Sequence, residues 1–189
     1  DGDDDIFVGG SKGFPSTLYI NKGKQKFENK FQPVFINDSK YEDMGSVFFD
    51  PDRDGDLDLF VVSGGVECEP GDPILQDRLY INDGNGNFGR AAEGLIPKLY
   101  ESGSVVSVAD INQDGRDDLF IGGRTVPGNY PSSPRSFILI NSGARFINET
   151  QKVAPSLANA GMVTSAIFSD VNNDDWPDLL VTYEWGPVR

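Results

Sequence analysis

The stretch Asp50 to Asp58 reads DPDRDGDLD and places an aspartate at every second position. So many neighbouring carboxylates repel one another. Such a run therefore occurs either as a solvated acidic loop or as a set of ligands for a cation. Gly55, at position six, favours a turn, because glycine readily adopts positive φ. A single copy of the run leaves both interpretations open.

The same nine-residue pattern recurs twice further along the chain. Asp110 to Asp118 reads DINQDGRDD, and Asp170 to Asp178 reads DVNNDDWPD. An incomplete copy, DGDDD, stands at the start, where Asp1 and Asp5 match the fifth and ninth positions. A fixed period of this length indicates a structural repeat. The ninth position recurs at intervals of 60 residues, as Asp58, Asp118 and Asp178.

Apolar segments of β character flank every acidic loop. The segment GSVFF comes directly before the first loop. LDLFVVSGG begins at the end of that loop, and a hairpin-like segment, RLYINDGNGNFGR, follows further along the chain. The pattern predicts four antiparallel strands in this repeat. A β-sandwich would not explain why the same loop joins the same pair of strands in every repeat. The predicted strands are Gly45 to Phe49, Asp58 to Ser63, Arg78 to Asn82 and Asn87 to Ala91.

We therefore predict an all-β chain of β-propeller blades, each made of four antiparallel strands. The chain holds about three repeats in a single fragment of a propeller. The predicted boundaries are 1–44 (partial), 45–104, 105–163 and 164–189 (partial).

Composition narrows the function classes. A formal net charge of −14 disfavours nucleic acid as a partner. The chain has no histidine and one cysteine, Cys68, which removes the usual ligands of zinc and the usual general base. Aspartate, glutamate and asparagine oxygens remain, and these suit hard cations such as calcium. No apolar stretch is long enough for a transmembrane segment.

Calcium sites are predicted in all three complete loops. Side chains at positions one, three, five and nine, with the carbonyl of position seven, can converge on one cation. The third loop has Asp175 in place of glycine, so we expect its turn to be less favourable. The EF-hand is excluded, because its twelfth position needs glutamate and β-branched residues stand there. The predicted ligands are Asp50, Asp52, Asp54, Asp56 and Asp58; Asp110, Asn112, Asp114, Arg116 and Asp118; Asp170, Asn172, Asp174, Trp176 and Asp178; and Asp1 and Asp5 of the incomplete copy.

The motif DxDxDGxxDL, the strand ending in Gly-Gly and the following LYxNxGxxxF together resemble the FG-GAP/VCBS repeat, the blade unit of integrin α-subunit propellers and of many secreted bacterial proteins. The segment LLVTYEWGPV resembles the bacterial subset that accompanies UnbV-type domains. The resemblance implies a larger, seven-bladed propeller. Open blade edges in such a fragment favour self-association.

The loops at the other end of the strands are the candidate ligand surface, because rigid scaffolds carry binding residues on loops. We predict a non-catalytic module for extracellular, cell-surface or periplasmic recognition or adhesion, with a protein or glycan ligand. The alternative is an accessory propeller of a secreted carbohydrate-active enzyme, and a scaffold without a ligand also remains open. No catalytic residue is predicted, because the well-placed aspartates belong to the metal loops. The candidate ligand contacts are Glu67, Glu69, Arg124, Tyr130, Arg135 and Trp185.

Overall fold

The computed structural model describes residues 3–188, and its strands form four antiparallel sheets in chain order. The first sheet contains β1 (Ile6–Val8), β2 (Thr17–Asn21) and β3 (Phe27–Lys30). The second contains β4 (Asp43–Phe49), β5 (Asp58–Ser63), β6 (Arg78–Asn82) and β7 (Phe88–Arg90). The third contains β8 (Ser102–Ala109), β9 (Asp118–Thr125), β10 (Phe137–Asn141) and β11 (Phe146–Asn148). The fourth contains β12 (Val163–Ser169) and β13 (Asp178–Tyr183).

In the second and third sheets the strands lie side by side in sequence order, which is the arrangement of a propeller blade. The predicted bounds of β5 and β6 match the structure. β4 begins at Asp43, two residues earlier than predicted, because a register irregularity between Asp43 and Ser46 lets the pairing with β5 continue. β7 is shorter than predicted and covers Phe88–Arg90.

The core lies between successive sheets and follows the period-two alternation of the strands. On β5, Leu59 and Val61 pack toward the first sheet, whereas Phe60 and Val62 pack toward the third. On β9, Phe120 packs toward the fourth sheet instead. Both faces of these central strands are buried, which explains their continuous apolar sequences.

Glycines allow the sheets to approach closely. A Cβ at Gly122 would lie 2.6 Å from Cγ1 of Val163, and one at Gly103 would lie 2.3 Å from Cγ1 of Val62. Ser104 adds a direct link, because its hydroxyl donates to the Val163 carbonyl at 2.9 Å. Gly122, in the Gly-Gly pair that ends the apolar part of β9, therefore has a packing role.

Two short helices, α1 (Pro33–Asn37) and α2 (Thr150–Val153), were not predicted from the sequence. Short 3-10 turns also occur at Pro73–Leu75 and Pro155–Asn159. Phe35 of α1 is buried between the first two sheets and meets the Tyr80 ring edge-on at 5.3 Å. Within residues 3–188, no helix has the length and apolar character needed to cross a membrane.

Candidate metal centre

Three acidic loops lie at the same end of the sheets. The first loop (50–58) joins β4 to β5, the second loop (110–118) joins β8 to β9, and the third loop (170–178) joins β12 to β13. All three have left-handed backbone conformations at the same two positions. Positions four and six have positive φ, with values of 65°, 57° and 60° at position four and 92°, 81° and 67° at position six. The residues are Arg53, Gln113 and Asn173 at position four, and Gly55, Gly115 and Asp175 at position six.

The first loop gathers its carboxylates around one point. One oxygen from each of Asp50, Asp52 and Asp54 lies within 4.8 Å of the other two. The backbone organises this cluster, since Asp50 accepts hydrogen bonds from the N–H groups of Arg53 at 2.7 Å and Gly55 at 3.1 Å. The turn therefore forms around the side chain that begins it.

Asp58 supplies the buried end of the first loop. Asp58 is only 1% exposed, and its Oδ1 accepts the backbone N–H of Asn82 at 2.8 Å. Its Oδ2 is buried and has no hydrogen-bond partner among the described residues. Burial raises the pKa of Asp58 to about 6, against the opposing hydrogen bond from Asn82 and with smaller contributions from the neighbouring carboxylates. A cation in this loop would give Oδ2 its missing partner.

The second loop has the same arrangement with its buried aspartate fully hydrogen-bonded. Asp118 accepts the N–H of Asn141 at 2.7 Å and the N–H of Ile111 at 3.0 Å, and burial raises its pKa. Asp110 accepts the N–H of Gly115 at 2.6 Å. Arg116 forms an ion pair with Asp114 at 3.3 Å. In this loop, as in the first, the aspartate at position one accepts the N–H of the glycine at position six.

The third loop repeats the turn without glycine. Asp170 accepts the N–H groups of Asn173 at 2.7 Å and Asp175 at 3.0 Å. Asn172 donates to Asp174 at 3.0 Å. Asp175 adopts the left-handed conformation, with φ of 67°, that glycine has in the other two loops. Asp178 accepts the N–H of Val171 at 3.0 Å, which matches the bond of Asp118 to Ile111.

The incomplete copy at the start has one described counterpart. Asp5 Oδ1 accepts the N–H of Asn21 at 2.8 Å, as Asp58 accepts that of Asn82. This shared bond supports the equivalence of Asp5 with the ninth position. The predicted ligand Asp1 lies outside the described residues.

Three asparagines that the sequence analysis did not assign to the site position the ninth aspartates. Asn21, Asn82 and Asn141 end β2, β6 and β10, and each donates its backbone N–H to the ninth aspartate of its own repeat. Their side-chain oxygens accept N–H groups of the following turn. The signal was present in the repeated strand endings, which read Leu-Tyr-Ile-Asn twice and Ile-Leu-Ile-Asn once.

At the opposite end of the strands lies a cavity of about 350 Å³. It brings together three of the predicted ligand contacts, Glu67, Arg124 and Tyr130. Arg124 pairs with Glu184, which also accepts the Tyr130 hydroxyl at 3.0 Å. The predicted contact Trp185 adjoins this network, since its indole N–H donates to the Tyr130 oxygen at 3.0 Å.

Two predicted ligand contacts lie elsewhere. Arg135 lies over the ring of Phe137, 5.7 Å from its centroid, and interacts with Glu101, so it does not line the cavity. Glu69 is exposed in the loop after β5 and does not line the cavity. The sequence analysis missed Glu42 and Glu184, which line the cavity from the start of β4 and the end of β13.

Two segments of the chain match a known protein family. Residues 1–61 and 62–121 each match the family described as FG-GAP-like repeat. These two matches cover 121 of the 189 residues. No curated protein matches the chain.

Proposed function

The chain belongs to the FG-GAP-like repeat family, and on this premise we propose that it is a calcium-binding, non-catalytic β-propeller module for recognition or adhesion outside the cytoplasm. The observation that carries the proposal is the buried Oδ2 of Asp58, which has no hydrogen-bond partner among residues 3–188. The Asp58 carboxylate interacts electrostatically with the three carboxylates that converge in the same loop. A buried carboxylate oxygen without a partner is costly. A bound cation would offset that cost.

Calcium fits these loops better than other common metals. All the side-chain donors are oxygens, and the first loop offers Asp50, Asp52, Asp54 and Asp58, with the Asp56 carbonyl as a further donor. Calcium takes six to eight oxygen ligands in flexible geometry, whereas magnesium demands a near-ideal octahedron and keeps its waters. Zinc and copper favour nitrogen and sulfur ligands, which these loops do not offer. When bound, the ion would neutralise the carboxylates and tie the ends of two strands together.

The recognition surface is proposed at the cavity opposite the metal loops. Arg124, Tyr130 and Glu184 form a fixed hydrogen-bonded group there, and Trp185 is 75% exposed beside them. An exposed indole next to fixed polar groups provides both a stacking face and hydrogen-bonding partners. These features suit a protein or glycan ligand.

A location outside the cytoplasm agrees with the proposed metal. Extracellular calcium sites work at high calcium concentrations, and their affinities are correspondingly weak. The proposal therefore places the protein at the cell surface, in the periplasm or in the extracellular medium.

Calorimetric titration of the chelator-treated protein tests the metal part. We expect about three calcium ions per chain, a rise in the unfolding midpoint, and a much smaller response to magnesium. Asp50→Asn, Asp110→Asn and Asp170→Asn should each remove one ion from the stoichiometry. Absence of calcium binding in the folded wild-type protein would refute the metal part.

A panel of immobilised polysaccharides and extracellular-matrix proteins tests the recognition part, with calcium present throughout. Trp185→Ala should reduce binding to whichever probe is retained without changing the unfolding midpoint, because the side chain is largely exposed. Shortening of a polysaccharide by the wild-type chain would contradict the non-catalytic assignment and favour the enzyme alternative.

A further inference from the structure

Side chains at position four of the acidic loops reach into the next loop along the chain. The guanidinium of Arg53, in the first loop, lies against Gly115 in the second, where an added Cβ would be 2.4 Å from Nη2. Gln113, at the same position of the second loop, donates from Nε2 to the carbonyl oxygen of Asp175 in the third loop at 2.6 Å. Both contacts join position four of one loop to position six of the next.

The contact at Asp175 lies where the third loop departs from the other two. Gly55 and Gly115 adopt positive φ at position six without steric cost, whereas Asp175 has a Cβ and pays that cost at φ of 67°. Its N–H donates to Asp170 Oδ2 at 3.0 Å, and its carbonyl accepts the Gln113 amide. The residue is therefore held on one side by its own loop and on the other by the second loop.

We propose that Gln113 of the second loop holds Asp175 in the conformation that the third loop needs to bind its cation, so that the third site depends on the second. This inference rests on the proposed calcium function. Gln113 is itself at positive φ within the second loop, and an ion there would fix its backbone. Ordering that has already occurred in one loop need not be repeated when the next ion binds, which gives positive coupling between the sites. Linkage makes the coupling reciprocal.

The chemistry of the contact fits a coupling between two cation sites. Gln113 is neutral, so it can hold a carbonyl beside the third loop without repelling the incoming cation. The amide group also donates to the carbonyl and leaves the carboxylates of the third loop free to bind metal. Arg53, at the same position of the first loop, brings a positive charge to the second loop. The contact between the first and second loops is therefore not neutral, and it would repel a cation in the second loop.

Terbium luminescence can read the third site alone. Terbium replaces calcium at oxygen sites. Trp176 lies within the third loop, where its backbone N–H donates to Asp174 at 2.9 Å. A Trp185→Phe background leaves Trp176 as the single tryptophan sensitiser. We expect Gln113→Ala to weaken terbium binding at the third loop about 2- to 10-fold, the range for loss of one neutral hydrogen bond.

A matched control and a rescue separate this role from a general loss of structure. Arg53→Ala removes the side chain at the same position of the first loop and should not weaken terbium binding at the third loop. Asp175→Gly should shrink the effect of Gln113→Ala, because glycine needs less support at positive φ. Asp110→Asn, which impairs the second site, should also weaken terbium binding at the third loop, as Gln113→Ala does.

The outcomes distinguish this inference from the proposed function. Absence of both sensitised luminescence and calcium binding in the folded protein would overturn both, whereas absence of sensitised luminescence alone would overturn the inference about the third loop. Equal third-loop affinities in the parent and in Gln113→Ala would overturn the coupling alone. An equal loss in Arg53→Ala, or an undiminished effect of Gln113→Ala in the Asp175→Gly background, would also contradict the assignment to this contact. Circular dichroism and the unfolding midpoint would verify that each variant is folded.

Discussion

Replacing Asp58 with asparagine should have opposite effects on stability in the absence and presence of calcium. Without metal, the folded protein buries a carboxylate whose Oδ2 has no hydrogen-bond partner in the described part of the chain. The rise in the pKa of Asp58 from 3.8 to about 6 corresponds to about 3 kcal/mol against the ionised side chain in the folded state. Asparagine removes this cost and keeps an acceptor for the N–H of Asn82.

The substitution also introduces a buried amide donor, which costs about 1–3 kcal/mol if it finds no acceptor. We therefore expect a net gain of up to about 2 kcal/mol in the free energy of unfolding when chelator is present. With calcium the sign should reverse, because a carboxylate ligand is lost. A site held at 100 times its dissociation constant adds about 2.7 kcal/mol to stability, and the variant should lose most of this.

Urea unfolding at neutral pH, in chelator and in millimolar calcium, measures both effects. Asp118→Asn is the matched control, since both oxygens of Asp118 already accept N–H groups. Its new amide would face one of these donors, so this variant should be less stable in both conditions. A loss of stability of the same size for Asp58→Asn with and without calcium would refute the reasoning about its unpartnered oxygen.

Two further predictions concern the scaffold. Burial raises the pKa of Asp77 to about 7, so between about pH 4 and 7 the folded state binds a proton that the unfolded state has released, and stability falls as pH rises. Asp77→Asn should remove this pH dependence. The free energy of unfolding of the variant, measured with urea relative to wild type, should therefore be about 2–3 kcal/mol higher at pH 8 than at pH 5. A difference that does not change with pH would be inconsistent with a buried, neutral Asp77. Gly122→Ala should lower the free energy of unfolding by about 1–3 kcal/mol, because its Cβ would lie 2.6 Å from Val163 Cγ1. Gly89→Ala, whose Cβ would have no contact within 4 Å, should lower it much less in the same thermal or urea unfolding measurement. Equal losses would contradict the packing role of Gly122.

The repeated loop allowed much of the fold to be predicted from the sequence. The ninth aspartate begins the second strand of each sheet at Asp58, Asp118 and Asp178, so the 60-residue period located β5, β9 and β13. Apolar runs of β character on both sides of the loops then indicated the strands themselves. α1 was missed because its five residues are too few for a helical period, and Phe35 is fixed by contacts with two sheets.

The candidate sites were predicted less completely, because their other parts come from distant segments. Asn141 donates its side-chain amide to the Pro51 carbonyl at 2.8 Å, across 90 residues of sequence. Glu184 joins Arg124 and Tyr130 only after β13 has packed beside the third sheet. Local patterns indicate which residues can bind a cation, but partners from another blade become visible only when the sheets are assembled.

The central claim, that the first loop binds calcium through Asp58, is tested most directly by a crystal structure from crystals grown in calcium. The quantity to measure is the distance from the ion in the first loop to Oδ2 of Asp58. The account predicts an ion bonded to this oxygen at about 2.3–2.6 Å, with oxygens of Asp50, Asp52 and Asp54 in the same shell. A well-ordered first loop without an ion, or an ion that leaves Asp58 Oδ2 outside its shell, would contradict the account.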